Sequence, residues 1–246
     1  MRYRVCSVFL SVLFLCGSLF VSVQRWHRLE NRDFVYEVSE NTVQICAYTG
    51  TSENLTIPDT IEGKRVTDIM PRAFYENTQI RCVSLPCGLL RIGDYAFYGC
   101  EKLECITFPD SLMTIGSYAF SQCDEIVRIT VPKQVDAIEE GAFSGMQALQ
   151  EAVISAHCRI GEAVFADCPV LHTVSFLGNV REIEKEAFFN DPLLRSVALP
   201  NSVRAVGERA FGYVCGEAIG TYAKAADFSL ESQSIQVQRY AEENGF

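Results

Sequence analysis

Residues 80–100 read IRCVSLPCGLLRIGDYAFYGC, and residues 103–123 read LECITFPDSLMTIGSYAFSQC. The second stretch repeats the first at an offset of 23, placing Pro86 on Pro109, Ile92-Gly93 on Ile115-Gly116 and Ala96-Phe97 on Ala119-Phe120. Followed outward, the same aromatic recurs at Phe74, Phe97, Phe120, Phe143, Phe165, Phe188 and Phe211, in steps of 23, 23, 23, 22, 23 and 23. Other apolar columns keep the step. One runs Val83, Ile106, Ile129, Ala152, Val174, Val197; two residues on come Leu85, Phe108, Val131, Ile154, Phe176, Leu199. A third runs Ile92, Ile115, Ile138, Ile160, Ile183, Val206. A fixed period of this length marks stacked supersecondary units.

Each unit dictates its own local structure. The apolar-x-apolar step has period 2, so it forms a short strand with both apolar side chains facing one way. The Pro that follows at residues 86, 109, 132 and 200 ends the strand, because it cannot donate to a ladder. The V-x-x-I step gives a second short extended or turn segment. The Ala-Phe-x-x-Cys-x-x-Leu spacing of three predicts one helical or 3-10 turn on the opposite side. A unit this short buries no core alone; stacked at ~4.8 Å per rung, each covers its neighbour. The expected architecture is a parallel solenoid.

The pattern resembles the BspA-type leucine-rich repeats of bacterial and protist surface proteins. The resemblance covers residues 34–246. Phe34–Val38 and the stretch to Gly50 are similar to that family's entry strands, and residues 57–66 to its longer first repeat. The resemblance implies an α/β repeat: a leucine-rich-repeat solenoid with a short parallel strand and a short helical or 3-10 turn per rung of 22–23 residues. Its members are extracellular and associated with adhesion or protein binding. The expected divisions are 1–32 for a signal peptide or anchor, 33–55 for entry strands, 56–215 for the solenoid and 216–246 for a C-terminal cap. In the last, residues 234–244 read as a short helix stopped by Gly245. The columns depart once: Ser155 and Leu177 stand in the Pro slot, beside the single 22-residue step. One irregular rung is expected there.

Ahead of the repeats, Arg2 and Arg4 precede an uncharged apolar run at residues 5–23. Nineteen residues span ~29 Å as a helix, about one bilayer core. The basic-then-apolar order predicts export, as a cleaved signal or an uncleaved anchor. Beyond residue 32, 16 basic and 30 acidic residues remain of the chain's 21 and 31. Such acidity excludes nucleic acid as an expected partner, since phosphates need a basic footprint. Contact with a membrane is expected only through the N-terminal run if it stays uncleaved.

Catalytic signatures are absent: the sequence holds no G-x-S-x-G, phosphate loop, H-E-x-x-H or dinucleotide fingerprint. Its three His fall in different registers. Glu139-Glu140 and Glu182, Glu184 and Glu186 tempt a paired-carboxylate reading, but they recur in the turn before Ala-Phe, the solvent side of each unit. Cys100, Cys123 and Cys168 share a slot that also holds Asn77, Met146 and Asp191, so they read as a ladder of semi-buried thiols rather than ligands. Cys82 and Cys105 stand apart, at one outward strand position on adjacent rungs; they are a candidate redox pair or two free thiols. No enzyme, metal or cofactor is expected.

The outward strand columns supply the candidate binding surface: Ser84, Thr107, Arg128, Thr130, Glu151, Val153, Thr173 and Ser175. They form a strip of small and polar groups, centred on the opposite charges of Arg128 and Glu151, which can equally pair with each other. The expected function is an exported, non-enzymatic interaction or adhesion module for a protein or glycan at a cell surface. The alternatives are a membrane-anchored structural component of the envelope and, less favoured by the residues, a hydrolase with an unrecognised site.

Overall fold

The computed structural model describes residues 26–28, 33–216, 218, 220–225 and 227–246. The apolar run at 5–23, and with it the signal-or-anchor question, lies outside the described residues.

The chain winds as a parallel solenoid whose rungs have three sides. In one rung these are the strand Cys105–Thr107, the strand Thr114–Ile115 and the turns that carry Ala119-Phe120. On the second side, the strands Lys64–Ile69, Arg91–Ile92, Thr114–Ile115, Ala137–Ile138, Arg159–Ile160, Glu182–Ile183 and Ala205–Val206 pair in parallel without interruption. Each extends the ladder by one rung in strict register, Ile92 on Ile115 on Ile138 on Ile160 on Ile183 on Val206. The V-x-x-I step is therefore the more regular strand of the two. The antiparallel strands Phe34–Val38 and Thr42–Tyr48 cap its N-terminal end, where Thr42–Tyr48 pairs in parallel with Lys64–Ile69. The extra residues of the first repeat form a hairpin. Ile61 pairs with Lys64 across Glu62-Gly63, both at positive φ (53° and 74°), the backbone a two-residue hairpin turn demands.

The Phe column is the spine of the core. All seven rings are at most 2 % exposed. Neighbouring rings lie nearly parallel, with centroids 4.6, 5.1, 5.7, 5.3, 5.2 and 4.7 Å apart from Phe74 to Phe211. Their spacing matches the strand spacing, so each ring rests on the ring of the next rung.

The third side is not the expected helical or 3-10 turn. It is a run of four-residue turns: the amides of Ala96, Tyr98 and Cys100 donate to the carbonyls of Gly93, Tyr95 and Phe97. The alternate amides point along the solenoid instead, Tyr95, Phe97 and Gly99 donating to Ser117, Ala119 and Ser121 of the next rung. This division needs positive φ two residues before and two after the Phe, as at Tyr95 (56°) and Gly99 (66°), Tyr118 (53°) and Gln122 (59°), or Ala163 (53°) and Asp167 (60°). A helix would direct every amide within its own rung; here half of them stitch rungs together. Spacing of three cannot tell the two apart.

The shared Cys slot is fully buried rather than semi-buried. The thiols of Cys100, Cys123 and Cys168 donate to the carbonyls of Phe74, Phe97 and Phe143 at 3.1, 3.2 and 3.4 Å. Burial pushes the Cys100 thiol up to about 12 and the other two well above the ordinary range. They are packing groups that satisfy a carbonyl, not nucleophiles. At the C-terminal end the helix Ile235–Asn244 buries Val237 and Tyr240, and Gly245 closes it at φ 66°. Ser234 starts it without a side-chain cap; its hydroxyl donates to Val203 of the last rung at 2.6 Å. The expected helix and its Gly stop are thus in place.

Candidate interaction surface

The first side of the solenoid carries the outward columns. Its strands do not form one sheet. Asn54–Thr56, Cys82–Ser84 and Cys105–Thr107 pair in parallel, then pairing stops; Arg128–Val131, Glu151–Ile154 and Thr173–Phe176 pair, and it stops again; Ser196–Ala198 pairs onward with Ser229–Glu231. The expected continuous strip is therefore broken twice. Where strands pair, two amides of one rung share a carbonyl of the rung before: Glu104 and Cys105 donate to Arg81, and Gln150 and Glu151 to Val127. The equivalent bonds from Val127 and Arg128 to Glu104 are missing, as are those from Arg195 and Ser196 to His172.

The inward residue at the end of each strand accounts for the breaks. Strands followed by Ile57, Leu85 or Leu199, or ending in Val131 or Ile154, all pair with the next rung. The two that do not are those whose residue in this column is Phe, at Phe108 and Phe176. An aromatic ring here must lie over the Phe spine. Phe108 meets Phe120 of its own rung edge-on at 5.3 Å and reaches Phe143 of the next at 6.3 Å. The spine is widest between those two rings, at 5.7 Å. Phe176 contacts Phe188 of its own rung at 6.3 Å, and the spine beyond stays at 4.7 Å. The steps differ accordingly: Cys105–Thr107 and Arg128–Val131 have moved apart, whereas Thr173–Phe176 and Ser196–Ala198 remain close neighbours. Phe108 acts as a wedge; Phe176 only unpairs.

The wedge opens a cleft of about 610 Å³. Ile106, Phe108 and Leu177 give it apolar walls, and Arg128, Thr130 and Lys133 polar ones. Ile106 is only partly covered, although its column is otherwise buried. Leu177, 73 % exposed, stands where four other rungs have Pro. Of the strip residues, Thr107, Arg128 and Thr130 line the cleft. Glu151 and Val153 pair in register with Arg128 and Thr130, with Thr173 and Ser175 beyond them, and Ser84 pairs with Thr107 on the near side. Arg128 and Glu151 do pair, at 2.5 Å. With the Arg128 side chain 64 % exposed, that bond contributes only ~0.2–1 kcal/mol.

Cys82 and Cys105 sit side by side in register. Their Sγ atoms and a Glu104 oxygen lie within 4.8 Å of one another. The Cys82 thiol is held up to about 11, first by its hydrogen bond with Cys105 and then by burial. Glu104 is committed to Arg81, with bonds of 3.2 and 3.0 Å, so the two thiols stand without a free third donor. Three carboxylates of the acidic turns are committed too: Arg159 bridges Glu139, at 2.9 Å, and Glu184, and Arg209 holds Glu186 at 2.5 Å. The sequence reading passed over one further surface. Tyr75 stacks on Tyr98, and Tyr95 on Tyr118, each at 5.2 Å, with the Arg72 guanidinium 5.4 and 5.5 Å from the Tyr75 and Tyr95 rings. Tyrosines one residue after or two before the Phe column signalled it. Their faces cover one another, so they offer edges rather than a platform.

A model of the BspA-type leucine-rich repeat region matches residues 67–192 in six copies, just over half of the chain. The chain belongs to this family. Its fold is similar to the leucine-rich repeat protein of T. pallidum, at 23 % identity and a TM-score of 0.66 over 94 % of this chain and 97 % of that one. It is similar to a leucine-rich cell surface protein of Faecalibacterium prausnitzii, at 25 % identity and 0.66 over 82 % and 54 %, and to a leucine-rich repeat protein of Bacteroides ovatus, at 23 % and 0.67 over 83 % and 52 %. The chain thus spans about half the length of the latter two. No match to a curated protein is found. Among the described residues, no helix is long and apolar enough to cross a membrane.

Proposed function

We propose that this chain is an exported, non-enzymatic interaction module that attaches to a protein or glycan at a cell surface through the broken first side of its solenoid. The observation that carries the reading is the cleft at Thr107, Arg128 and Thr130. It is the wider of the two interruptions of the first-side ladder among the described residues, and it uncovers Ile106, whose column is buried in the other rungs. Solenoids bind partners along such faces. The basic-then-apolar N-terminus supports export, and the cell surface description of the F. prausnitzii relative agrees with it. The acidic turns favour catalysis less, since Glu139, Glu184 and Glu186 are spent on Arg159 and Arg209.

Two measurements test the reading. The protein is recovered from medium and membrane fractions and its N-terminus sequenced; recovery from neither overturns export. Attachment to cells is then compared for the wild type and the triple variant Arg128→Glu, Glu151→Lys, Val153→Asp. Loss of attachment at unchanged melting temperature supports the surface, and full attachment overturns it.

A further inference from the structure

We infer that the cleft between Cys105–Thr107 and Arg128–Val131 accepts an extended peptide of a partner protein, which adds there as an inserted β-strand. The inference deepens the proposed function and rests on the first side being the partner surface.

Three observations define the occupant. The facing strands are parallel members of one solenoid that have lost each other as partners, so two open edges confront each other across one gap. Open edges recruit main chain. The gap is also wider than a paired step: strands in register lie ~4.8 Å apart, and the two that face each other across the cleft stand outside that range. A rigid sugar ring would leave the row of amides and carbonyls unmatched, whereas an extended main chain presents donors and acceptors at the same repeat.

The walls constrain the side chains. Strand side chains alternate, so those of the occupant facing inward meet Ile106 and Phe108, and those facing outward pass Thr107 and Thr130. The cleft is therefore matched to a segment of alternating apolar and small polar residues. Asp110 and Lys133 mark its Pro-side end with opposite charges. Lys133 makes no ion pair among the described residues, whereas Arg128 at the opposite rim is already paired with Glu151. An acidic side chain near the occupant's end satisfies Lys133. A second copy of this chain fits worse, because 30 acidic against 16 basic residues beyond residue 32 set copies against each other.

The wedge supplies the control. In this column every aliphatic residue lets its strand pair forward, so Phe108→Leu is expected to close the cleft while keeping the fold. A displayed library of random linear peptides of about 12 residues, ample for a strand of ~5–6, is selected on the full-length chain. Enriched peptides are synthesised with and without N-methylation at alternate residues, which removes amide donors and leaves side chains intact. The expected result is saturable binding, weakened about tenfold or more both by N-methylation and by Phe108→Leu. Should Phe108→Leu not fold, protection of the Val127 and Arg128 amides on binding to the wild type decides in its place. No enriched peptide, equal binding of the N-methylated form, equal binding by Phe108→Leu, or unchanged exchange at those amides overturns the inference. If no peptide binds while the triple variant still loses cell attachment, strand insertion falls and the partner surface stands.

Discussion

Two sides of the same rungs behave differently. The second side runs as one unbroken parallel ladder from Lys64–Ile69 to Ala205–Val206, while the first breaks after Cys105–Thr107 and after Thr173–Phe176. Each rung contributes a strand to both, so period and handedness cannot be the cause. The inward residues differ: the second side buries an almost uniform column of Ile, and the first alternates aliphatic with aromatic at Leu85, Phe108, Val131, Ile154, Phe176 and Leu199. A uniform column sets one spacing for every step. A ring inserted into a mixed column forces its own, and the strands above it part. Regularity thus serves stability on the second side, and its local failure opens a cleft on the first.

The largest effect is expected where both sides depend on one group. Phe120 is fully buried between Phe97 and Phe143 and carries the edge of Phe108. Phe120→Ala should cost ~3–5 kcal/mol, since a central rung is held from both ends and collapses poorly. Urea unfolding measures this; an unchanged midpoint would remove the spine from the account.

The sequence displayed this spine outright, because a Phe every 22–23 residues has no reading other than stacking. The columns also placed Thr130 beside Val153 and Arg128 beside Glu151 in the right register. Two things were illegible. Positive φ two residues either side of each Phe from Phe74 to Phe188 is betrayed by Gly only in places, such as Gly99, Gly141 and Gly145, and is otherwise held by Tyr118, Ala163 or Glu186 through bonds to the next rung. The breaks were the other. Phe108 and Phe176 look like conservative members of an apolar column, and only the packing of their rings shows that pairing fails there. Column identity gives register; side-chain volume decides whether the register is bonded.

The third side offers a smaller contrast within one slot. At Asn77 the side-chain oxygen accepts from Gln79 and Ile80 at 2.9 and 3.1 Å. At Asp191 one oxygen accepts from the Cys168 amide at 2.9 Å and the other, buried, has no partner. Burial raises the Asp191 carboxyl well above the usual range, against the pull of the Cys168 amide. A carboxyl raised on folding contributes its stability below its unfolded value, ~3.9, and loses it as pH climbs through the folded one. Asp191→Asn should therefore raise stability by ~1–3 kcal/mol at neutral pH and by little near pH ~4. Thermal melts at the two pH values measure the difference; a gain as large at the lower pH would show that Asp191 is not held protonated.

The exposed pair on the first side should matter least to stability. Arg128→Ala is expected to cost ~0.2–1 kcal/mol and to become neutral in high salt. A larger, salt-independent loss in a melting series would mean that Arg128 holds the cleft open rather than lining it.

Amide hydrogen exchange followed by NMR tests the broken ladder itself. Val127 and Arg128 occupy the same places in their rung as Gln150 and Glu151 do in the next, but only the latter two have a carbonyl to donate to. Exchange at Val127 and Arg128 is predicted to be at least ~100-fold faster than at Gln150 and Glu151, as an open edge beside a bonded one requires. Equal protection at the four amides would contradict the account, because the ladder would then be continuous and Phe108 would wedge nothing apart.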